Sequence, residues 1–290
     1  MWLWAACGGE VADDSAARPI VGGHSAKPGA FPATGALVQG KGYHCTATLI
    51  APDVAVTAAH CLVDVGGTGL GFTLDGDITD GSLGEVVPVF RALKHPGYRG
   101  DLRPEVGQAN DVGIVILTQP IEHVTPAAML LPSLPVDVGE GIELEACGYG
   151  LALWYEPGDV GVKREATVSV ATVAEWELST AAGEAQPCNG DSGGPLFVST
   201  PLGPRLVGVV SRSAGDTDRC DGGAIATRIG PYFDWIAEAS LEESSPGCSA
   251  GGTAPLGAAP WLALLWWLKA HMQRCREARR SGRDRQRVSR

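Results

Sequence analysis

Long apolar stretches are scarce in this sequence, and so is positive charge outside its C-terminal end. Through residues 20–240 the apolar runs are short and interrupted by turn residues, which argues against a helical architecture. Residues 269–290 carry nine Lys or Arg and two Asp or Glu, which is a net charge of +7. The formal net charge of the whole chain is −11, so the remaining residues carry a net charge of −18. Because an acidic body repels phosphates, nucleic acid is not expected as a partner.

Glycine, in contrast, is abundant. It accounts for 40 of the 290 residues, and 44% of the chain is hydrophobic. That hydrophobic fraction supports a packed core rather than disorder. Because the apolar runs between the turns have the length of strands, the sequence predicts an all-β protein, and one β-barrel protein can fill this length.

The most informative stretch is residues 189–195, which read Asn-Gly-Asp-Ser-Gly-Gly-Pro. Its glycines permit backbone angles that side chains forbid, so Ser192 can be held exposed on a tight bend. That bend can aim the N–H groups of Gly190 and Ser192 at one point, where they would stabilise a developing oxyanion. A serine hydroxyl alone is a weak nucleophile, so this interpretation requires a histidine base and a group that orients it.

Two upstream stretches contain such groups. Residues 57–61 read Thr-Ala-Ala-His-Cys, and residues 110–117 begin with Asn-Asp and continue as an unbroken apolar strand. Each stretch alone has a structural explanation, as the end of a core strand or as a turn. Together they give His60, Asp111 and Ser192 in chain order, and the combination indicates nucleophilic catalysis.

That order is the order of the chymotrypsin/trypsin family of serine peptidases, which this sequence resembles. Residues 20–23 (Ile-Val-Gly-Gly) resemble the mature N-terminus of that family. Residues 95–98 (His-Pro-Gly-Tyr) resemble a surface motif that precedes its catalytic Asp, so His95 is expected to be structural. The resemblance extends from residue 20 to about residue 239.

The resemblance implies an all-β fold of two six-stranded antiparallel Greek-key barrels with a short C-terminal helix, and with the triad at their junction. It further implies that Ser211 supports Asp111 and that residues 211–213 pair with the substrate backbone as a strand. The expected organisation is a signal remnant and pro-segment, a peptidase domain, a linker, and a hydrophobic segment with a basic tail. These parts are expected at residues 1–19, 20–240, 241–253 and 254–290, with the barrels at about 20–125 and 126–240.

Eight cysteines would allow four disulfides in a secreted protein. The resemblance implies two, one closing the loop that carries His60 and one bracing the substrate pocket. The implied pairs are Cys45–Cys61 and Cys188–Cys220. Cys147 stands near a position that the family uses, but Val198 occupies the place of its partner, so Cys147 is expected to be unpaired. Two structural disulfides imply an oxidising, extracytoplasmic compartment.

The resemblance also implies a zymogen, in which a freed Ile20 amine inserts and pairs with Asp191 to order the oxyanion turn and the pocket. An activating protease is therefore an expected partner. Residues 18–20 read Arg-Pro-Ile, so cleavage after the arginine leaves one residue too many. Activation then requires a cut after the proline or a second trimming step. Residues 3–9 resemble the end of a bacterial signal peptide, with Cys7 as a candidate for lipidation, although no basic region precedes them.

Substrate preference follows from a pocket that in this family reads the side chain before the scissile bond. Its floor residue lies six positions before the serine, which is Gln186 here. Two wall positions that are often glycine correspond to Ser213 and Ala224. A neutral floor leaves an incoming cation without a counter-charge, and larger walls make the pocket shallower. The sequence therefore predicts small or medium uncharged residues at the cleaved position.

Residues 75–81 (Asp-Gly-Asp-Ile-Thr-Asp-Gly) fall where many members of the family carry a calcium loop. They lack the later Glu of the full EF-hand pattern, so a solvated turn is favoured over a calcium site. No metal and no cofactor is expected elsewhere.

The C-terminal end lies outside the peptidase fold. Residues 254–268 are apolar with three Trp and precede a run of arginines. The C-terminal end resembles bacterial C-terminal sorting signals, because a motif of small residues with a Cys is followed by an apolar run and then by a basic tail. The apolar run is near the lower limit for a membrane span, and a basic end stays cytoplasmic. We therefore expect a monomer that is secreted or anchored at the surface of a bacterium.

The sequence thus predicts a serine endopeptidase that hydrolyses polypeptides through an acyl-enzyme. Two alternatives remain open: a peptidase-like protein that only binds its partners, and an esterase that uses the same triad. A protein that only binds would usually lack a member of the triad, and none is missing here.

Overall fold

The computed structural model describes residues 20, 23–40, 42–63, 65, 69–100, 105–107, 110–151, 160–183, 185–214 and 220–242. By its contacts the chain divides into two units, Met1–Ser240 and Leu241–Arg290. Every strand in the described part of the chain lies in the first unit. Nearly all of the second unit, including the predicted hydrophobic segment and tail, lies outside the described residues, as does the predicted pro-segment.

The first half of the chain forms a closed six-stranded antiparallel barrel. Its strands are joined in the order β2-β3-β4-β7-β6-β5. Its interior is apolar, and Leu37, Phe72 and Ile114 are fully buried in one cluster. The strands of this half are β1 His24–Ser25, β2 Thr34–Gln39, β3 Gly42–Ala51, β4 Val54–Thr57, β5 Leu70–Thr73, β6 Val86–Lys94 and β7 Gly113–Leu117.

The second half forms another antiparallel barrel of six strands. The strands run in the order β9-β10-β13-β12-β11-β8, and a pairing of β8 with β9 closes the circuit. Leu144, Val168 and Leu196 lie in its core. Its strands are β8 Glu143–Gly148, β9 Arg164–Val173, β10 Glu177–Thr180, β11 Pro195–Val198, β12 Arg205–Ser213 and β13 Ala224–Arg228. The prediction of two six-stranded barrels is confirmed.

Residues 20–25 belong to the second barrel rather than the first. Strand β1 pairs with the beginning of β9, with His24 opposite Glu165. Ile20 is fully buried among the apolar residues of the second core. Residues at the N-terminal side of the expected 20–125 range therefore join the second barrel, through the buried Ile20 side chain and the backbone pairing of β1 with β9.

A short helix, α1, closes the described chain at Phe233–Glu242, directly after a 3-10 turn at Gly230–Tyr232. Pro231 stands at the start of this turn, where a missing N–H costs nothing. Tyr232 and Ile236 are buried in the same cluster as the first barrel's core residues. The C-terminal helix predicted from the sequence therefore packs on the first barrel.

Candidate active site

His60 and Asp111 meet because neighbouring strands of the first barrel deliver them. Strand β4 ends just before His60, Asp111 lies just before β7, and Thr57 of β4 is paired with Gly113 of β7. His60 Nδ1 lies 2.8 Å from Asp111 Oδ2, and the His60 backbone N–H donates to Asp111 Oδ1 at 2.8 Å. Since a carboxylate only accepts, Nδ1 carries a proton, and in the neutral ring Nε2 is then the acceptor.

The second barrel supports Asp111, which has no exposed surface. Ser211 Oγ donates to Asp111 Oδ2 at 2.6 Å, as the resemblance implied. Thr227 Oγ1 donates to the Asp111 backbone carbonyl at 3.0 Å. The buried carboxylate is therefore bound by the His60 backbone N–H and Nδ1 from one barrel and by the Ser211 hydroxyl from the other, whereas Thr227 holds the Asp111 backbone.

Local packing fixes the chain just before Asp111. Asn110 has a positive φ of 47°, and its side chain donates to the Gly97 carbonyl and accepts a 3.0 Å hydrogen bond from Tyr232. His95 stacks edge-on against Tyr232 and Trp235, with ring centroids 5.0 Å away in each case. Burial lowers the pKa of His95. His95 therefore packs against residues that hold the segment before Asp111.

Ser192 lies on a turn that is docked onto the first barrel. The Ser192 carbonyl accepts a 2.9 Å hydrogen bond from the Thr46 N–H on β3. Gly193 has φ of +82°, and a Cβ there would lie 2.1 Å from the Thr46 carbonyl oxygen. Thr46 follows Cys45, which is disulfide-bonded to Cys61, the residue after His60. The turn thus joins the first barrel beside the segment that carries His60.

The predicted oxyanion donors lie in the same turn. In the described part of the chain, the N–H groups of Gly190 and Ser192 have no hydrogen-bond acceptor. The Gly190 carbonyl accepts a hydrogen bond from the Tyr43 hydroxyl. Gly190 has φ of +93°, and a Cβ there would lie 2.8 Å from Gly150 Cα. Two free N–H groups on a turn that is held from outside are what an oxyanion site requires.

Asp191 is buried directly beneath this turn. Its carboxylate accepts hydrogen bonds from the Gly150 N–H at 2.8 Å and the Cys188 N–H at 2.9 Å. A Cβ at Gly148 would lie 2.1 Å from Asp191 Oδ1, so a glycine is required there. Burial raises the pKa of Asp191 to about 6, and the two N–H groups and the charge of Arg164 oppose that rise.

Ile20, the predicted partner of Asp191, is fully buried in the second barrel with φ of 43°. Its nitrogen is part of the continuous chain and therefore carries no charge here. Arg164 is the cation that acts on Asp191 in this uncut chain. The Arg164 guanidinium donates to the Gly150 carbonyl at 2.9 Å, on the residue whose N–H binds Asp191.

Of the predicted pocket residues, Gln186 and Ala224 are buried and Ser213 is half-buried. Ala224 and Ser213 are opposite each other in the β12–β13 pairing, and the Ala224 N–H donates to Thr180 Oγ1 at 2.9 Å. Gln186 is 2% exposed, and its Oε1 has no hydrogen-bond partner among the described residues. A disulfide between Cys188 and Cys220 lies between these segments. An unpaired amide oxygen in a buried position is available to a ligand.

The remaining cysteine in the described body is a free thiol. Cys147 is 1% exposed on β8, and burial raises its pKa. A raised pKa keeps the thiol protonated and unreactive. Cys7, the other candidate for a special role, lies outside the described residues.

The acidic residues of the 75–81 loop bond within their own segment. Asp77 Oδ1 accepts hydrogen bonds from Thr79, and Asp80 accepts hydrogen bonds from Ser82. Asp75 Oδ2 accepts a 2.6 Å hydrogen bond from the Gly84 N–H. Among the described residues, the one group of possible ligands that come together is Cys45, His60 and Cys61, two of which form a disulfide.

Sequence reasoning missed four residues around this site. Tyr43 and Thr227 contact it directly, as described above, and an ion pair joins Arg212 on β12 to Glu177 on β10. Arg212 follows Ser211 in the chain and could have been suspected from that position. Glu177 carried no such signal, because it meets Arg212 only after the sheet has folded.

Comparisons with known proteins agree on one relationship. A family model described as Trypsin matches residues 20–236. Serine protease 56 of Homo sapiens is 32% identical over 250 residues, covering 79% of this chain and 40% of the human protein. Mast cell protease 3 of Ovis aries is 29% identical, covering 80% and 93% of the two chains. The trypsin of Saccharopolyspora erythraea is 29% identical, covering 76% and 97%.

The comparisons give no support to the bacterial sorting signal that the sequence predicted at the C-terminal end. Residues 254–290 lie outside the described residues. Within the part of the chain that is described, no helix has both the length and the apolar character needed to cross a membrane.

Proposed function

Because this chain belongs to the trypsin family of serine endopeptidases, we propose that it cleaves peptide bonds through an acyl-enzyme formed on Ser192. His60 and Asp111 complete the proposed triad. The observation that supports this proposal best is the bond from His60 Nδ1 to the buried Asp111, which leaves Nε2 as the acceptor. That is the tautomer that a general base must have to take a proton from a serine hydroxyl.

The proposed reaction has two halves. His60 Nε2 takes the Ser192 proton as Oγ attacks the carbonyl carbon, and the resulting imidazolium gives that proton to the leaving amine. A water molecule then attacks the acyl ester, His60 again takes and returns a proton, and the carboxylic acid leaves. Asp111 stabilises the imidazolium at both stages, and it stays ionised throughout.

The N–H groups of Gly190 and Ser192 would hold the oxyanion of each tetrahedral intermediate. One such hydrogen bond stabilises the transition state by roughly 3 kcal/mol. Tyr43 supports this role from outside the turn by donating to the Gly190 carbonyl, and Asp191 supports it from within the turn by accepting from the N–H groups of Gly150 and Cys188. Because these groups are fixed before substrate arrives, little reorganisation is needed during the reaction.

The proposed pocket selects uncharged side chains before the cleaved bond. Gln186 contributes a neutral buried amide, and Ser213 and Ala224 add side-chain volume at its walls. A lysine or arginine would lose its hydration there without meeting a carboxylate, which costs roughly several kcal/mol. A small polar group on the substrate could instead donate to the unpaired Gln186 Oε1.

The proposal extends to activation and location. A cut before Ile20 would free its amine, which would then pair with Asp191; both residues are buried in this uncut chain. The two disulfides fit a protein that works outside the cytoplasm on polypeptide substrates. Secretion or surface anchoring, an activating protease and a monomeric state belong to this proposal.

Replacing Ser192 with Ala tests the proposal. The variant is expected to lose all measurable hydrolysis of a peptide library by the matured protein, and to keep its thermal unfolding temperature within a few degrees. A matched control is Ser199→Ala, on an exposed serine after β11, which should keep full activity. Peptide hydrolysis that survives in Ser192→Ala would refute the assignment. Turnover of simple esters without peptides would indicate the esterase instead.

A further inference from the structure

A register shift in β12 brings the side chains of Ser211 and Arg212 into contact. Val210 is opposite Ala226 and Arg212 is opposite Ile225, so the β12–β13 register shifts at Ser211. In a regular strand neighbouring side chains point to opposite faces, whereas a bulge can turn them to the same side. Accordingly, the Arg212 guanidinium donates to Ser211 Oγ at 3.1 Å. Ser211 Oγ in turn donates to Asp111.

The same guanidinium also donates hydrogen bonds to Glu177 and to the backbone at Glu105. It binds both carboxylate oxygens of Glu177, at 2.8 and 3.0 Å, and its Nη2 donates to the Glu105 carbonyl at 2.9 Å. Glu177 Oε2 also accepts a 2.6 Å hydrogen bond from the Gly107 N–H. The Arg212 and Glu177 side chains are 11% and 0% exposed. One buried ion pair therefore fastens the 105–107 segment, which lies shortly before Asp111 in the chain.

We propose that Arg212 and Glu177 are positioning residues that form a clasp, holding the Asp111 carboxylate in the geometry that His60 requires. This inference rests on the proposed function, in which Asp111 orients His60. The clasp acts on Asp111 from two directions. It binds the segment that leads to Asp111, and it orients the Ser211 hydroxyl that donates to the carboxylate.

Stability alone is a poor reason for this ion pair. A buried pair gains little over apolar residues of similar volume, because both charges must leave water. What the pair does provide is direction, since the planar guanidinium offers donors at fixed angles to Glu177, Ser211 and the Glu105 carbonyl together. An apolar side chain could fill the same space, but it could not aim the Ser211 hydroxyl.

The test separates positioning from stability by comparing Arg212→Met, Glu177→Met and the double variant. Each single variant leaves a buried charge without its partner, so each should unfold at a lower temperature. The double variant removes both charges and should recover most of that loss. If the clasp positions Asp111, kcat per labelled Ser192 stays about tenfold below wild type in all three, because misplaced catalytic groups are costly. If kcat instead returns to within twofold of wild type as stability recovers, the clasp is only structural and the inference is wrong.

Arg212→Lys keeps the positive charge but loses the planar guanidinium and its several donors. If the methionine variants fold poorly, this variant tests whether Arg212 positions Asp111. The inference predicts an intermediate loss of kcat in this variant, and wild-type kcat would overturn it. Arg228→Met is the matched control, because Arg228 on β13 binds only the Ala174 and Glu175 carbonyls among the contacts described. It should keep wild-type kcat.

A spectroscopic reading distinguishes failure of this inference from failure of the proposed function. In a Ser192→Ala background, the NMR resonance of the His60 Nδ1 proton reports its bond to Asp111 without any turnover. The inference predicts faster exchange of that proton with water in Arg212→Met and in the double variant. Unchanged exchange would contradict the clasp, whereas absent peptide hydrolysis by wild-type protein would contradict the proposed function alone.

Discussion

The two barrels differ in the polar groups that they bury. In the first barrel these are threonines, together with Asp111. In the second barrel they include four charged side chains and an amide: Lys163, Arg164, Glu177, Asp191 and Gln186. Both barrels have the same number of strands and similar apolar cores, so the fold does not require this difference.

The difference indicates how the two barrels divide the work. A buried threonine is satisfied by a neighbour, as Thr57 Oγ1 is by the Thr46 carbonyl at 2.7 Å, and it adds no charge. Each buried charge needs partners. Asp191 and Arg164 find theirs around the Ser192 turn, Glu177 pairs with Arg212, and Lys163 donates to the Leu74 carbonyl. In the proposed function, the first barrel supplies the base and the carboxylate that orients it, whereas the second holds the groups that would set the turn geometry and the substrate preference.

The largest expected effect comes from Asp111, the one charged residue that the first barrel buries among the residues the structure describes. Asp111→Asn should lower kcat by about 10⁴, because an amide no longer dictates which nitrogen of His60 carries the proton. Asp77→Asn is a matched control in the same half of the chain, since Asp77 is exposed and bonds only within its loop. Steady-state kinetics on a peptide substrate measures both. A loss of less than tenfold in Asp111→Asn would contradict the role given to the first barrel.

Asp191→Asn is the corresponding test in the second barrel. An amide cannot accept from both the Gly150 and Cys188 N–H groups as a carboxylate does, so the oxyanion turn should loosen. We expect kcat to fall by roughly 10²–10³, the size of losing one oxyanion donor. Asp137→Asn is the control, because Asp137 accepts the Gly139 N–H in an exposed turn of the same half. Equal kcat in both variants would show that Asp191 does not govern the turn.

Gln186→Asp tests whether the second barrel sets substrate preference. Wild-type enzyme should favour Ala, Val or Leu over Arg at the cleaved position, and the new carboxylate should raise the relative kcat/KM for Arg by at least about tenfold. Gln39→Asp adds the same charge at an exposed position of the first barrel and should change nothing. A wild-type enzyme that already cleaves after Arg a hundredfold faster than after Ala would overturn the assigned pocket.

The disulfides allow a comparison of stability between the barrels. Cys45–Cys61 and Cys188–Cys220 close separations of 16 and 32 residues. Replacing either pair by serine should lower the free energy of unfolding by about 2–4 kcal/mol. The longer loop should cost about 0.6 kcal/mol more, because closure entropy rises slowly with length. Urea unfolding measures both, with Cys147→Ala as the control for losing a buried sulfur. A larger loss from the shorter loop would contradict the entropic account.

Asp191 should also leave a signature in the pH dependence of stability. Burial raises its pKa to about 6 in the folded chain from an ordinary value of 3.8, so the folded state holds the proton more tightly than the unfolded state. Its contribution is complete below pH 3.8 and is lost as the pH rises through 6. The uncut chain should therefore lose stability over this window, and Asp191→Asn should lose less. An identical slope in both proteins would show that Asp191 is not responsible.

Much of the fold could be predicted because its strongest strands carry local signals. The apolar run that became β7 and the alternation that became β9 were both visible in the sequence. Strand β6 was not, because its burial alternates irregularly along a surface that is half exposed. Membership of β1 in the second barrel was missed as well, since two residues give no periodic pattern.

The site divides in the same way. His60, Asp111 and Ser192 stand in short motifs that can be recognised one at a time. Tyr43 and Gly190, by contrast, are 147 residues apart in the chain and are joined only by the folded structure. The same holds for the Arg212–Glu177 clasp, whose members lie on strands that are separated by β13 in the sheet. Such contacts follow from strand register and from one bulge, and a single sequence does not reveal either.

The most direct test of the account is chemical labelling of the nucleophile. The chain, after the activating cut, would be treated with a fluorophosphonate, and the adduct would be mapped by mass spectrometry of its peptides. The proposed mechanism predicts one adduct, on Ser192, and none in His60→Ala, where no base can activate the hydroxyl. An adduct on another residue, or no adduct on folded wild-type protein, would contradict the claim that Ser192 is the nucleophile.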